Sequence, residues 1–254
     1  MNITFLGTGT SQGVPIIACK CSVCTSKNQK DKRLRSSILI QYNDINIVVD
    51  TGPDFRQQML SSAITSCEAI LFTHAHRDHL AGLDDIRAFN FIMQKPIDIY
   101  CETQVDKAIR REFFYAFEEI KYPGVPEMDI HIINETPFVL FDKTIIPLRV
   151  WHHKMPVLGF RIDDFVYITD ANKIDDSVKE KIKGCEVLVL NALRREHHIS
   201  HFTLAEAVEL CNELKPKKAY FTHISHQLGL HNEVNAELPE NINLAYDGLE
   251  LTFK

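Results

Sequence analysis

The chain has 254 residues, 45 % of them hydrophobic and 24 % charged, with a formal net charge of −6. Length and composition suit a soluble globular protein, read here as a single domain over residues 1–254. The acidic balance offers no broad basic face, which disfavours extended nucleic acid and acidic membrane as partners, and no apolar run approaches membrane-spanning length.

In chain order, "MNITFLG" reads as a strand and the start of a glycine turn rather than a secretory leader. Gly7, Gly9 and Gly13 read as tight turns leading to "CKCSVC", which holds Cys19, Cys21 and Cys24. The run "KNQKDKRLR" (27–35) carries five basic residues and reads as a solvated face, from which Lys32 or Arg35 could reach an anionic substrate. Strands are expected at "SILIQY", "INIVVDTG", "AILFTH" and "IDIYC", then a helix over 103–118 and the loop "KYPGVPEMD". "TIIPLRVWH", "FVYITD", "EVLVLNA", "KAYFTH" and "LELTF" continue the strand pattern. Thr203 and Glu206 form a capping box. Leu204, Val208, Cys211 and Leu214 then share one helical face until Pro216 stops the helix. The tally predicts an α/β protein of two packed sheets with helices outside. Seven cysteines, four of them (Cys67, Cys101, Cys185, Cys211) in apolar surroundings, suit a reducing cytoplasm.

Four strands deliver a metal-competent side chain at the carboxyl end: His74, the pair His152–His153, Asp170 and His223. The densest signal is "THAHRDH". His74 and His76 are two apart, so in extended chain both rings point to one side. Asp78 and His79 follow where a helix should begin. A turning chain can present two imidazoles to one ion and a carboxylate plus an imidazole to another. Imidazole and carboxylate without thiolate suit a partly open hydrolytic site for zinc, manganese or iron. Strand alternation puts His152 in phase with Leu148 and Val150, and periodicity alone leaves the choice between His152 and His153 open. Asp50 reads equally as support for the metal loop or as a turn aspartate.

With these motifs the chain resembles the metallo-β-lactamase-fold hydrolases, whose motif is H-x-H-x-D-H. "GTGTSQGVP…CKCSVC", "DTG", "THAHRDHLAGL", "HHK", "TDAN" and "THISHQ" look, within them, like the phosphodiesterases that open a phosphoribosyl cyclic phosphate (the PhnP-like family). The resemblance implies an αβ/βα sandwich of two mixed β-sheets flanked by helices. It implies a dinuclear site with His74, His76 and His153 on one ion, Asp78, His79 and His223 on the other, and Asp170 bridging. The family spacing to Gly159–Phe160 favours His153. It also implies a structural zinc held by Cys19, Cys21, Cys24 and His226. Such a closed Cys₃His site has no vacancy for substrate, so its work is structural.

The expected reaction is hydrolysis of a small (cyclic) phosphodiester, such as a phosphoribosyl cyclic phosphate, by a metal-bridging hydroxide. His201, just ahead of the capped helix, matches the family histidine that contacts phosphate and protonates the leaving oxygen, and Asp78 is the other residue assigned to catalysis. His197 and His198 read as solvated loop residues. "TDANK" departs from the usual aspartate–threonine–alanine–glycine run. The 103–128 segment exceeds the family minimum and suits a lid. Homodimerisation is a family expectation. The alternatives are an oxidoreductase like those of pyrroloquinoline quinone synthesis, a tRNA 3′-processing nuclease, a thiolester or lactam hydrolase, and a non-catalytic metal-binding protein.

Overall fold

A computed structural model describes residues 1–120 and 122–253. The strands in chain order are β1 (Asn2–Gly7), β2 (Ser37–Tyr42), β3 (Ile45–Val49), β4 (Ala69–Leu71), β5 (Ile97–Cys101), β6 (Met128–Ile132), β7 (Phe138–Leu140), β8 (Lys143–His152), β9 (Met155–Ile162), β10 (Phe165–Tyr167), β11 (Lys173–Ile174), β12 (Val187–Asn191), β13 (Lys218–Thr222), β14 (Ile242–Leu244) and β15 (Glu250–Thr252). The helices are α1 (Ser22–Thr25), α2 (Phe55–Ser62), α3 (Arg77–Leu80), α4 (Arg87–Met93), α5 (Thr103–Glu112), α6 (Asp176–Ile182), α7 (Leu204–Leu214) and α8 (His231–Glu237). The chain divides into two compact units, each with its own mixed sheet and flanking helices.

The first unit comprises Met1–Gly7, Arg35–Asn134 and Gly248–Lys254. Its sheet runs β15-β1-β2-β3-β4-β5-β6, antiparallel as far as β3 and parallel from β3 to β6. Leu39, Val48, Ile70 and Ile99 form its core with Phe55 and Met59 of α2 and Val105 and Ile109 of α5. Residues on the opposite strand faces, such as Ile38, Ile40 and Ile47, are also buried. That double burial is why these strands read as nearly continuous apolar runs instead of alternating ones. The expected 103–118 helix stops at Glu112, and only a short 3₁₀ turn, Phe114–Ala116, follows. Phe113–Phe114–Tyr115 supplies three aromatic residues of modest helix propensity, and Phe113 is buried against the core instead of continuing the spiral. Part of the expected loop 121–129 is strand β6; its first residue, Lys121, lies outside the described residues.

The second unit comprises Thr8–Leu34 and Glu135–Asp247. Its sheet runs β11-β8-β9-β10-β12-β13-β14, with β7 on β8. Antiparallel β8-β9-β10 passes into parallel β10-β12-β13-β14, repeating the plan of the first unit. Leu148, Val150, Val157, Leu188 and Phe221 meet Val178 of α6 and Leu210 and Leu214 of α7. The capping box of α7 is present: Glu206 N–H donates to Thr203 Oγ1, and Thr203 N–H donates to the Glu206 carboxylate. Lys215 ends the helix in the left-handed conformation ahead of Pro216. Among the described residues no helix is long and apolar enough to cross a membrane.

The basic run 27–35 is not a solvated face throughout. Arg33 is buried and donates to Thr8 Oγ1, the Ala245 carbonyl and His231 Nδ1, while Arg35 pairs with Asp54 at 2.9 Å. A guanidinium can be buried only where acceptors replace its water, and Arg33 has Asp31 and Asp247 as charged neighbours.

Candidate metal centres

The first unit gathers one group of donors from a single loop. β4 ends at Leu71, and the chain passes through Thr73 and His74 into the short helix α3. This turn brings the His74 ring centroid to 4.6 Å from that of His76 and 4.2 Å from that of His79, with His79 Nε2 3.3 Å from Asp78 Oδ2. Asp50, fully buried at the end of β3 with a left-handed φ of 65°, lies beneath the loop. Its Oδ1 accepts from the Thr73 N–H and its Oδ2 from the Thr73 hydroxyl at 2.7 Å. Oδ2 also accepts from His79 Nδ1 at 2.7 Å. The Thr73 hydroxyl has then spent its one hydrogen, so at 2.9 Å from His74 Nδ1 it must accept from that ring. This network places the protons of both rings on Nδ1, the usual outer support of a metal-bound histidine. Asp50 therefore supports the loop instead of serving as a plain turn aspartate. Burial pushes its carboxyl above the usual range, and the His79 ring and Thr73 pull it back.

Gly52 explains the "DTG" motif. A Cβ on it would sit 2.1 Å from the Asp78 carbonyl oxygen, closer than any side chain tolerates. The same approach lets Thr51 N–H donate to the His79 carbonyl at 2.7 Å, which ties α3 to the end of β3.

The second unit gathers its donors from four separated places. His152, Asp170 and His201 offer ligand atoms within 4.8 Å of one another. Asp170 Oδ1 lies 2.9 Å from His223 Nδ1, and its Oδ2 lies 3.4 Å from His201 Nε2. The Thr169 hydroxyl donates to Asp170 Oδ1, and Thr10 Oγ1 lies 3.3 Å from His223 Nε2. Asp170 and His223, each just beyond a strand, take left-handed backbone at φ 56° and 54°. Conformations that L-residues avoid, held in place by packing, are a recurrent feature of functional sites.

At the β8 hairpin the structure places His152, and not the expected His153, beside Asp170 and His201. His152 is buried and donates from Nδ1 to the Ser200 carbonyl at 2.9 Å, and its ring centroid lies 4.6 Å from that of His201. His153 is exposed, takes φ 58° in the hairpin turn and stands outside the group. Alternation along β8 carries Leu148, Val150 and His152 to the buried side, and the turn begins one residue later. His198 is a second correction: it is half-buried, with Nδ1 3.1 Å from His201 Nδ1, whereas His197 is exposed as expected.

Also in the second unit, Cys19, Cys21, Cys24 and His226 offer four ligand atoms within 4.8 Å of one another. His226 Nδ1 lies 3.5 Å from Cys19 Sγ and 3.3 Å from Cys21 Sγ. Zinc bonds of about 2.3 Å to sulfur and 2.0–2.1 Å to nitrogen in a tetrahedron set that edge at about 3.6 Å, so the set fits zinc. Hydrogen bonding from His226 lowers the Cys21 thiol to about 6, while burial raises Cys24 to about 11. The other thiols behave as inert core: burial raises Cys67, Cys101 and Cys211 to about 12 and Cys185 to about 11.

Comparison with known proteins matches residues 45–224 to the β-lactamase superfamily domain. The crystal structure of a new diphosphatase from the PhnP family superposes with a TM-score of 0.94 at 38 % identity, covering 100 % of this chain and 98 % of that one. Zinc-bound PqqB from Methylobacterium extorquens superposes at 0.82 and 17 % identity over 100 % of both chains, a likeness of fold alone. An octanoyltransferase of Porphyromonas gingivalis is 38 % identical over 253 residues, 98 % of this chain and 51 % of that protein, so the chain spans about half the length of this relative.

Proposed function

The chain belongs to the β-lactamase superfamily and within it to the PhnP family, and from that premise we propose that this metallo-β-lactamase-fold hydrolase is a dinuclear phosphodiesterase acting on a small, cyclic diester. His74, His76, Asp78 and His79 of the first unit and His152, Asp170 and His223 of the second are assigned as ligands of divalent ions. Zinc or manganese suits these donors, iron being the third candidate, and a further zinc belongs to Cys19, Cys21, Cys24 and His226. When bound, the active-site ions supply Lewis acidity and an activated water.

The observation that carries the reaction class is the buried His201 ring. It is a histidine beyond the assigned ligands, stacked 4.8 Å from His223 with Nε2 3.4 Å from Asp170 Oδ2. A departing alkoxide is a poor leaving group and gains from a positioned acid, an effect typically worth ~10²–10⁴-fold. His201 Nε2 holds the proton for that oxygen. Asp50 and Thr73 keep the loop rings in the ligating tautomer, and Ser200 does so for His152.

A second reading, an acyl-thioester hydrolase, is favoured by the match to about half of a protein named octanoyltransferase. One assay separates the two. Metal content is measured by mass spectrometry while bis(4-nitrophenyl) phosphate, cyclic nucleotides, cyclic sugar phosphates and an octanoyl thioester are offered as substrates. Diester turnover with two ions beside the cysteine-bound zinc is the expected outcome. Full metal loading with thioester cleavage and no diester turnover would replace it with the second reading.

A further inference from the structure

We propose that Asn172 is a positioning residue that sets the orientation of the His152 ring, by holding both the backbone around His152 and the loop on which the ring leans. Two backbone groups flanking His152 bond to Asn172. Asn172 N–H donates to the Trp151 carbonyl at 2.9 Å, and His153 N–H donates to Asn172 Oδ1 at 2.7 Å. The other end of the same side chain, Nδ2, donates to the Ile199 carbonyl at 3.1 Å. The next carbonyl along that loop, that of Ser200, accepts from His152 Nδ1 at 2.9 Å. A backbone N–H can only donate and a carbonyl can only accept, so both ends of the Asn172 amide have fixed roles and one orientation satisfies them.

The segment that carries Asn172 is itself pinned. Asn191, fully buried at the end of β12, accepts from the Ala171 N–H at 2.8 Å and donates to the Ala171 carbonyl at 2.9 Å. Phe202 N–H donates to the same carbonyl at 2.8 Å. On the other side, Arg194 spans the turn before Ile199, donating to the carbonyls of Glu196 and His197. The two side-chain bonds of Asn172 lie near the surface, where water can serve the His153 N–H and the Ile199 carbonyl about as well, so they add little to stability. What water does not supply is a fixed distance between two segments. Metal-ligating rings depend on support of that kind.

The inference rests on the proposed function only for the role of His152 as a metal ligand. The test compares Asn172→Ala, which removes both side-chain bonds, with Asn172→Asp, whose carboxylate can accept from His153 N–H but cannot donate to Ile199. Zinc titration, thermal melting, amide hydrogen exchange and carbonyl carbon-13 shifts are read on each variant with the cysteine site loaded. Asn172→Ala is expected to melt close to wild type and to lose protection at the His153 amide. It should bind active-site zinc about ten-fold more weakly, the lower end of the scale for outer supports of a metal ligand. Asn172→Asp should keep the His153 protection and shift the Ile199 carbonyl resonance as far as alanine does. Unchanged zinc affinity or unchanged His153 exchange in folded Asn172→Ala overturns the inference. So does a large fall in melting temperature in both variants, which would make Asn172 a structural residue. Undiminished zinc affinity in His152→Ala sinks the ligand assignment instead, and the exchange and carbonyl shifts still decide whether Asn172 joins the two segments.

Discussion

The two units solve one problem in different ways. The first collects three rings and a carboxylate from the six consecutive residues 74–79 and braces them with one buried aspartate at the end of the neighbouring strand. The second collects His152, Asp170, His201 and His223 from separate places, three at or just beyond strand ends and His201 just ahead of α7. A local cluster needs only its own turn to be right. A dispersed one needs the register of β8, β10, β12 and β13 together, and it shares its unit with the Cys19–His226 clasp, which ties residues about two hundred apart in sequence. Closing so long a loop is where a metal clip gains most in principle.

If that contrast is real, the clasp should matter to one unit and not the other. Cys24→Ser, or stripping zinc from the cysteines, is predicted to cost several kcal/mol, since structural zinc contributes folding energy outright. Hydrogen exchange should rise across β13 and the His223–His226 segment while β2 to β5 stay protected. Equal loss of protection in both units would erase the distinction. The converse change, Gly52→Ala, forces a Cβ against the Asp78 carbonyl and is predicted to cost about 1–3 kcal/mol by overpacking, with loss of metal from the 74–79 loop and intact zinc at the cysteines. Metal analysis of the variant checks this.

A sharper cut lies at the β8 hairpin. His152→Ala should lower metal affinity at the active site by at least ~10–100-fold, the scale on which even outer supports of metal ligands act, whereas His153→Ala should change it little. Titration with zinc of both variants decides between them, and a larger loss at His153 would reverse the assignment.

The smallest effect concerns acid stability of the second unit. Burial lowers His231 to about 4 and raises Asp247 to about 6. As pH falls from 6.5 to 4, His231 charges in the unfolded chain first and stability drops. Asp247 takes up its proton first in the folded chain, so over roughly the same window it raises stability. The two slopes oppose. Wild-type stability should be nearly flat there, and His231→Gln should become more stable toward pH 4. Urea melts from pH 7 to 4 read the slope; a variant that loses stability on acidification contradicts the cancellation.

How much was legible follows the same contrast. The H-x-H-x-D-H loop, the "DTG" bend beside it and the early cysteines stood out in the sequence because their partners are a few residues apart and backbone geometry alone brings them together. His226 as the fourth cysteine-site ligand came from family likeness, since nothing local links position 226 to position 19. His198 carried no signal: its contact with His201 depends on how Arg194 and Asn172 fold the loop. The burial of Arg33 inside a basic run was equally invisible, because charge patterning says nothing of acceptors brought from residues 8, 231 and 245.

By itself, then, the sequence determined the donor chemistry, the strand ends that carry it and the capped helix after His201, all of which follow from residue type and short-range periodicity. Only the tertiary structure put His152 instead of His153 beside Asp170 and His201, placed Asp50 beneath the 74–79 loop and brought His198 against His201. Those outcomes depend on which atoms meet across the sheet and on where each ring must keep its proton, and neither is set until the strands are in register.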